Sequence, residues 1–237
     1  MIQSRQMNKA NLIEVALFPL PSLLVFPHRV IPLHIFEPRY KKLIEDCLAL
    51  KREMAVVYAK KSPSPILNFD PSNPAQSLLN NATGPQKYQP HNIFAAGKVD
   101  IVQQTSDGRY YINVNLNKRY KIEKELQTSP YIIGQCSELK DEQEISCIEL
   151  SKEYLEAKAL IDETLDKNSA NDPDKKSFFL TKIKNEQSLN AYTFLVLSLI
   201  GADDGILIKA LDSRDPMERF NLIQKIISPK HKMGTPQ

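Results

Sequence analysis

The sequence is poor in glycine and cysteine, and it has no tryptophan. Only seven glycines occur in 237 residues. Neither G-x-x-x-x-G-K-[ST] nor G-x-G-x-x-G is present, which argues against a loop that binds nucleotide phosphates. The cysteines are three in number and form no C-x-x-C pair: they are Cys47, Cys136 and Cys147. An odd number of isolated cysteines indicates reduced thiols in a cytoplasmic protein rather than a disulfide framework.

The sequence also has no hydrophobic run that approaches the roughly 20 apolar residues of a membrane span. The apolar stretch at residues 15–26 follows Glu14, is interrupted by Pro19 and Pro21, and leads into no signal-peptide cleavage pattern. We therefore expect a cytoplasmic location and no membrane partner.

Motifs for catalysis and metal binding are missing as well. The four histidines form no i, i+4 pair, and neither H-E-x-x-H nor G-x-S-x-G occurs. The formal net charge of +3 is too small an excess to favour nucleic acid as the partner. The sequence thus predicts no catalytic residue, no metal and no cofactor.

The first part of the chain, residues 13–140, has mainly the patterns of β-strands. Residues 13–36 are apolar and rich in proline, which predicts short, kinked strands. A helix is predicted from Pro38 onwards, because apolar residues then recur at helical spacing. Residues 109–122 alternate between apolar and polar side chains, as in a half-buried antiparallel strand. Residues 60–92, rich in Pro, Ser and Asn, predict a long loop.

The second part, residues 141–228, has the patterns of helices. Residues 189–200 are apolar nearly all round, which predicts a central, buried helix. Asp203 and Asp215 are placed to cap the two helices that follow. The change of period near residue 140 is the best candidate boundary between a β subdomain and a helical subdomain, so the predicted fold class is α+β.

Three segments carry a resemblance to a known family. Residues 16–40 read ALFPLPSLLVFPHRVIPLHIFEPRY, residues 106–122 read SDGRYYINVNLNKRYKI, and the last helices contain ILIKALDSRDPMERFNLIQKII. In their fixed spacing these segments resemble the amino-terminal, substrate-binding domain of Lon-type ATP-dependent proteases. The resemblance covers residues 13–228, and the sequence resembles a stand-alone member without ATPase or protease domains.

The resemblance implies a PUA-like, mainly antiparallel β-barrel with one helix, followed by an α-helical bundle. It also implies a non-catalytic module that binds unfolded or exposed hydrophobic polypeptide, as an adaptor in proteolysis or quality control. A separate ATP-dependent protease is then an expected partner. The candidate polypeptide-binding surface consists of apolar residues in the proline-rich stretch, namely Phe18, Pro19, Leu20, Phe26 and Phe36.

Two other interpretations stay open at this stage. The predicted strand at 109–122 places basic and aromatic residues together, as RNA-binding surfaces do. The candidate RNA-binding residues are Arg109, Tyr111, Arg119 and Lys121, although a solvated strand face explains the same pattern. The third interpretation is a small-molecule pocket within the barrel.

Overall fold

A computed structural model describes residues 12–21, 23–61, 88–168 and 173–227, so most of the predicted loop at 60–92 lies outside the described residues. The strands are β1 (Ile13–Pro21), β2 (Arg29–Ile35), β3 (Glu53–Lys61), β4 (Tyr88–Pro90), β5 (Ile93–Gln104), β6 (Tyr110–Gln127) and β7 (Ile132–Glu138). The helices are α1 (Pro38–Leu50), α2 (Lys152–Asn168), α3 (Pro173–Asn185), α4 (Leu189–Leu197), α5 (Asp204–Asp212) and α6 (Pro216–Ile227), with a 3₁₀ turn at Cys147–Glu149.

The strands form one mixed sheet. They pair in the order β1-β7-β6-β5-β3-β4, and β1 also pairs with β3. The β1–β3 pairing is parallel and the others are antiparallel. Because β1 contacts both β7 and β3, five strands make a closed circuit, and β2 is added to it through β6. This sheet with its helices confirms the α+β class, while the PUA-like assignment stays a prediction.

The long strand β6 is the centre of the sheet, because it pairs with β2, β5 and β7. The turn before it contains Gly108, which adopts a φ of 75°, a conformation that favours glycine. A bulge interrupts the β5–β6 register at Gly97. Gly97 pairs with Leu116 and Ala96 pairs with Lys118, so Asn117 has no partner in β5. A side chain at Gly97 would clash with the carbonyl oxygen of Asn115, which explains a glycine there.

Alternate residues of the strands pack into two hydrophobic clusters. The α1 core joins the buried face of α1 to one side of the sheet and includes Ala16, Phe18, Tyr40, Leu43, Ile44, Cys47, Val56 and Ile112. The second β core uses residues of the opposite parity and includes Val15, Leu17, Ala55, Val57, Phe94, Tyr120 and Cys136. Both faces of the central strands are therefore covered.

A third cluster, the helical core, lies among α2 to α6. It includes Phe26, Cys147, Ile161, Ile183, Tyr192, Phe194, Leu195, Phe220 and Ile223. The predicted central helix is confirmed, since every residue of α4 is buried. The predicted caps are also present: Asp203 accepts from Gly205 N–H at 2.7 Å, and Asp215 accepts from Met217 N–H at 2.8 Å. No helix in the described ranges is both long and apolar enough to cross a membrane.

Candidate functional site

The apolar residues predicted to form a binding surface lie in four different places. Phe18 is 7% exposed in the α1 core, and Phe26 is 2% exposed in the helical core. Pro19 and Leu20 are half-buried at the end of β1. Only Phe36 is largely exposed, at 58%. The prediction of one exposed groove through all five residues is therefore wrong for Phe18 and Phe26, which the two cores need for packing.

Phe36 belongs instead to a different exposed surface, on the outer side of β2 and β6. Along β2 the odd-numbered residues Ile31, Leu33 and Ile35 face the α1 core, and the even-numbered residues face solvent. Opposite them, Tyr111 is the exposed aromatic residue of β6. We call this surface the β2–β6 face, and it consists of Val30, Pro32, His34, Phe36 and Tyr111.

Aromatic rings form the middle of the β2–β6 face. The His34 ring stacks on Tyr111 with centroids 4.5 Å apart and planes only 8° from parallel. Phe36 lies beside His34, with centroids 5.8 Å apart. Val30 extends the apolar surface along β2 and is 52% exposed. Clustered exposed apolar side chains of this kind are typical of interaction surfaces.

The β2–β6 face borders an open strand edge. Among the described residues β2 pairs with β6 alone, so its other edge has backbone groups without a strand partner. Pro32 faces Asn113 across the β2–β6 ladder. Because proline has no N–H, this pair is of the non-hydrogen-bonded type. The backbone groups of Val30 and His34 then point to the open edge, where an extended polypeptide could pair with them.

The candidate RNA-binding residues do not form a basic stripe. Arg109 makes a 2.7 Å ion pair with Asp107, and Lys121 lies 3.8 Å from Glu123. Arg119 is only 4% exposed, so its predicted place on the solvent side of the strand is wrong. The bulge at Asn117 interrupts the alternation of buried and exposed side chains along β6. As a result, Arg119 lies on the face of β6 that the helical half covers.

Arg119 is part of a buried ionic network between the sheet and the helices. Its Nη2 donates to Asp141, and its Nη1 donates to the carbonyl oxygens of Leu211 and Ser213, both at 2.6 Å. Arg219 of α6 donates to both carboxylate oxygens of Asp141, at 2.8 and 2.6 Å. The side chain of Arg119 is 3% exposed, that of Arg219 is 0% exposed and that of Asp141 is 6% exposed. Burial lowers the pKa of Arg119 to about 10, although Asp141 opposes that shift.

This network adjoins a cleft of about 470 Å³ between the sheet and the helices. Its lining includes Pro27, Arg119, Lys140, Asp141 and Phe194. The guanidinium groups of Arg119 and Arg219 both lie over the Phe194 ring, 4.9 and 4.1 Å from its centroid. Asp141 and Arg219 were not singled out from the sequence as site residues. The sequence signal that could have identified Arg219 was the resemblance to the family, because the matching segment DPMERF contains this residue.

The cysteines are placed for packing rather than for reaction. Each lies in a different hydrophobic cluster: Cys47 in the α1 core, Cys136 in the second β core and Cys147 in the helical core. Burial raises the pKa of Cys47 and Cys136 to about 12 and also raises the pKa of Cys147. A neutral, buried thiol is a poor nucleophile. Within the described parts of the chain, no cluster of three or more His, Cys, Asp or Glu residues is arranged to hold a metal ion.

Comparison with known proteins gives one family and one fold. The family model of the ATP-dependent protease La (LON) substrate-binding domain matches residues 14–228. A Lon N-terminal domain protein from Xanthomonas campestris superposes with a TM-score of 0.59 at 17% identity, covering 90% of this chain and 98% of that chain. The N-terminal domain of Mycobacterium avium complex Lon protease superposes with a TM-score of 0.61 at 11% identity, covering 90% of this chain and 97% of that chain. No curated protein sequence shows a significant match.

Proposed function

The chain belongs to the family of ATP-dependent protease La (LON) substrate-binding domains, and from this membership we propose that it is a non-catalytic module for unfolded or exposed hydrophobic polypeptide. In this proposal the module acts as an adaptor in proteolysis or quality control and works with a separate ATP-dependent protease. The observation that carries the proposal is the β2–β6 face, where exposed aromatic side chains border an open strand edge.

The β2–β6 face suits an extended, unfolded segment better than a folded partner. Backbone groups along β2 offer hydrogen bonds that do not depend on sequence, and the aromatic side chains offer contact to apolar residues at alternate positions. Pro32 removes one donor from the edge. This loss limits continuous pairing between two copies of β2, which is how edge strands commonly avoid aggregation. An unfolded chain can still use the flanking groups of Val30 and His34.

The test is the binding of a permanently unfolded, fluorescently labelled protein, such as reduced and carboxymethylated α-lactalbumin, measured by anisotropy. The double variant Phe36→Ser/Tyr111→Ser should weaken binding by about tenfold or more, because two exposed rings lose their apolar contacts. The matched control is Leu50→Ser/Leu160→Ser, which removes two exposed apolar side chains outside the β2–β6 face, 62% and 60% exposed.

Two further measurements complete this experiment. The native, disulfide-bonded form of the same labelled protein should bind much more weakly than the unfolded form. Binding of the unfolded form should survive moderate salt, because apolar contacts are not screened. Equal binding of native and unfolded protein would overturn the proposed function. Equal weakening by both double variants would remove the β2–β6 face as its site.

The RNA-binding interpretation has no observation in its favour. Arg109 and Lys121 each lie beside a carboxylate, and Arg119 is committed to the buried network. A phosphate backbone requires several accessible cations along one path. We therefore expect single-stranded RNA to bind weakly, and the RNA arm of the same anisotropy assay checks this expectation.

A further inference from the structure

The buried network between sheet and helices carries more positive than negative charge. Two guanidinium groups, Arg119 and Arg219, share the single carboxylate of Asp141. Arg219 is well satisfied, since its Nε donates to Thr193 at 3.0 Å and both of its Nη atoms donate to Asp141. The excess charge therefore lies with Arg119. Buried charge without a full partner is costly, and an anion beside it is stabilised.

Arg119 also has a donor to spare. Its hydrogen bonds within the network use Nη1 and Nη2, and among the described residues Nε has no acceptor within hydrogen-bond distance. The side chain is 3% exposed, yet it lines the 470 Å³ cleft. A guanidinium presents its donors in a fixed fork that suits carboxylates. The cleft thus has on its wall a largely buried cation whose Nε–H is unused.

The remaining charges of the cleft nearly cancel one another. Glu138 lies 3.5 Å from Lys118, and Glu142 is within 4.0 Å of Arg214. Lys140 and Glu144 both line the cleft, and within the described residues neither has an ion-pair partner. The charged side chains that line the cleft are three basic and four acidic, and Arg214 and Arg219, which pair with two of those carboxylates from outside the lining, bring the count to five basic and four acidic.

Two apolar residues of the lining, Phe194 and Pro27, lie close to this charge, and only a small part of each is exposed. Phe194 carries the two guanidinium groups on its ring and lines the cleft together with Pro27. A volume of about 470 Å³ is in the range of small-ligand sites, so the cleft accommodates the end of a polypeptide rather than a long segment. A terminal residue combines the two required properties, because it joins a carboxylate to a side chain through a single carbon atom.

We propose that this cleft binds the C-terminal carboxylate of a polypeptide. The carboxylate accepts from Arg119 Nε, and the apolar side chain of the last residue packs against Phe194 and Pro27. The proposal rests on the proposed function in one respect, namely that the ligand is a polypeptide. It adds a second contact to the β2–β6 face and specifies the free end of the chain as the feature recognised.

The test uses the full chain and a short peptide ending in Leu-Phe, prepared with a free or an amidated C-terminus. Nuclear magnetic resonance of the arginine Nε–H groups follows the site directly, and the resonance of Arg119 is assigned by its loss in Arg119→Lys. The free acid should shift that resonance and bind about tenfold or more tightly than the amide, as expected for a charge-assisted hydrogen bond. Propionate, which has the carboxylate alone, should bind far more weakly than the free-acid peptide.

A pair of charge variants tests the location without altering the buried network. Lys140→Glu places a second unpaired carboxylate on the rim and should weaken binding of the free-acid peptide severalfold. Lys124→Glu makes the same change of net charge on an exposed part of β6 that does not line the cleft, and it should leave binding unchanged. Equal effects of the two variants would mean that overall charge, and not the cleft, governs binding.

The outcomes separate this inference from the proposed function. Equal affinity for acid and amide with an unmoved Arg119 resonance would overturn the inference, and so would propionate binding as tightly as the peptide. If the unfolded protein still binds through Phe36 and Tyr111 in that case, the proposed function stands alone. A shifted Arg119 resonance without any binding of unfolded protein would overturn the proposed function and leave a carboxylate site.

Discussion

At the scale of single residues, three phenylalanines of the proline-rich stretch have very different environments. Phe18 packs beside Tyr40 in the α1 core, with ring centroids 4.4 Å apart. Phe26 reaches across to Phe194 in the helical core at 5.9 Å. Phe36 stays on the surface beside His34. Hydrophobicity alone cannot distinguish these positions, because burial depends on elements that lie far away in sequence.

The contrast between Phe26 and Phe36 gives a prediction for stability. Phe26→Ala should lower the free energy of unfolding by about 3–5 kcal/mol, since it leaves a cavity against Phe194. Phe36→Ala should change it by no more than about 0.5 kcal/mol, as is usual for exposed positions. Denaturant titration of the two variants and the wild type measures both effects. A large loss of stability in Phe36→Ala would show that this ring is a structural residue.

A second residue-scale prediction concerns acid stability and Asp46 of α1. Its carboxylate accepts from Lys42 and from Tyr131, both at 2.7 Å, and these two bonds lower the pKa of Asp46. A lowered pKa in the folded state means that the unfolded state binds the proton more readily. The contribution of Asp46 is therefore complete above the ordinary aspartate pKa of about 3.9 and is lost as the pH falls below it.

Asp46→Asn measures that contribution. The stability difference between wild type and Asp46→Asn should be largest at pH 5–7 and should shrink between about pH 4 and pH 2. Unfolding of both proteins by urea across this pH range provides the comparison. A difference that does not vary with pH would mean that Asp46 acts through helix packing alone.

At the scale of elements, β6 shows where reading the sequence succeeds and where it fails. The alternation of β6 correctly assigns Tyr110, Ile112, Val114 and Leu116 to the buried face. It fails at Arg119 because the bulge at Asn117 changes the parity, and because Arg119 meets the helical half. A bulge depends on the partner strand, here on the close approach of Gly97. The sequence of β6 alone does not contain that information.

The element Glu37-Pro38 is a similar case. Glu37 is the N-cap residue of α1, directly before the predicted helix start, and Pro38 occupies the first turn. However, the Glu37 side chain makes no capping bond and instead accepts from Arg39 Nε at 2.8 Å. The place of Glu37 at the start of the helix could therefore be predicted. The hydrogen-bond partner of its carboxylate could not, because both a backbone N–H of the helix and the Arg39 side chain were possible donors.

The ionic network between β6 and α6 leads to a prediction about Asp141. Asp141→Asn should destabilise the fold by about 3–5 kcal/mol, because it leaves two buried guanidinium groups without a counter-charge. Asp107→Asn is the matched control, since Asp107 pairs with Arg109 on the surface at 2.7 Å, and it should have little effect. Denaturant unfolding at low and high salt tests both variants. Equal, small effects would mean that the network is not needed for stability.

At the scale of the whole molecule, the two halves predicted from the sequence are connected through their cores. The segment between β1 and β2 supplies Phe26 and Leu24 to the helical core, and Ile93 of β5 packs against it. Tyr58 of β3 donates to Asp204 of α5 at 2.8 Å, and His91 lies 2.7 Å from Asp212. The change of pattern near residue 140 correctly marks the change from strands to helices. It does not reveal that apolar residues from the first half complete the core of the second.

This connection predicts that the molecule unfolds as one unit, and the three cysteines can test the prediction. Cys47, Cys136 and Cys147 each report on one hydrophobic cluster, and burial with a raised pKa makes all three unreactive in the folded state. Alkylation at increasing denaturant, followed by mass spectrometry of the peptides, gives a free energy of opening for each thiol. If sheet and helices depend on shared packing, the three free energies should agree. Earlier labelling of Cys147 than of Cys136 would mean that the helical half opens while the sheet stays folded. In Phe26→Ala, where the shared packing is weakened, we expect that separation to appear, with Cys147 the first thiol to react.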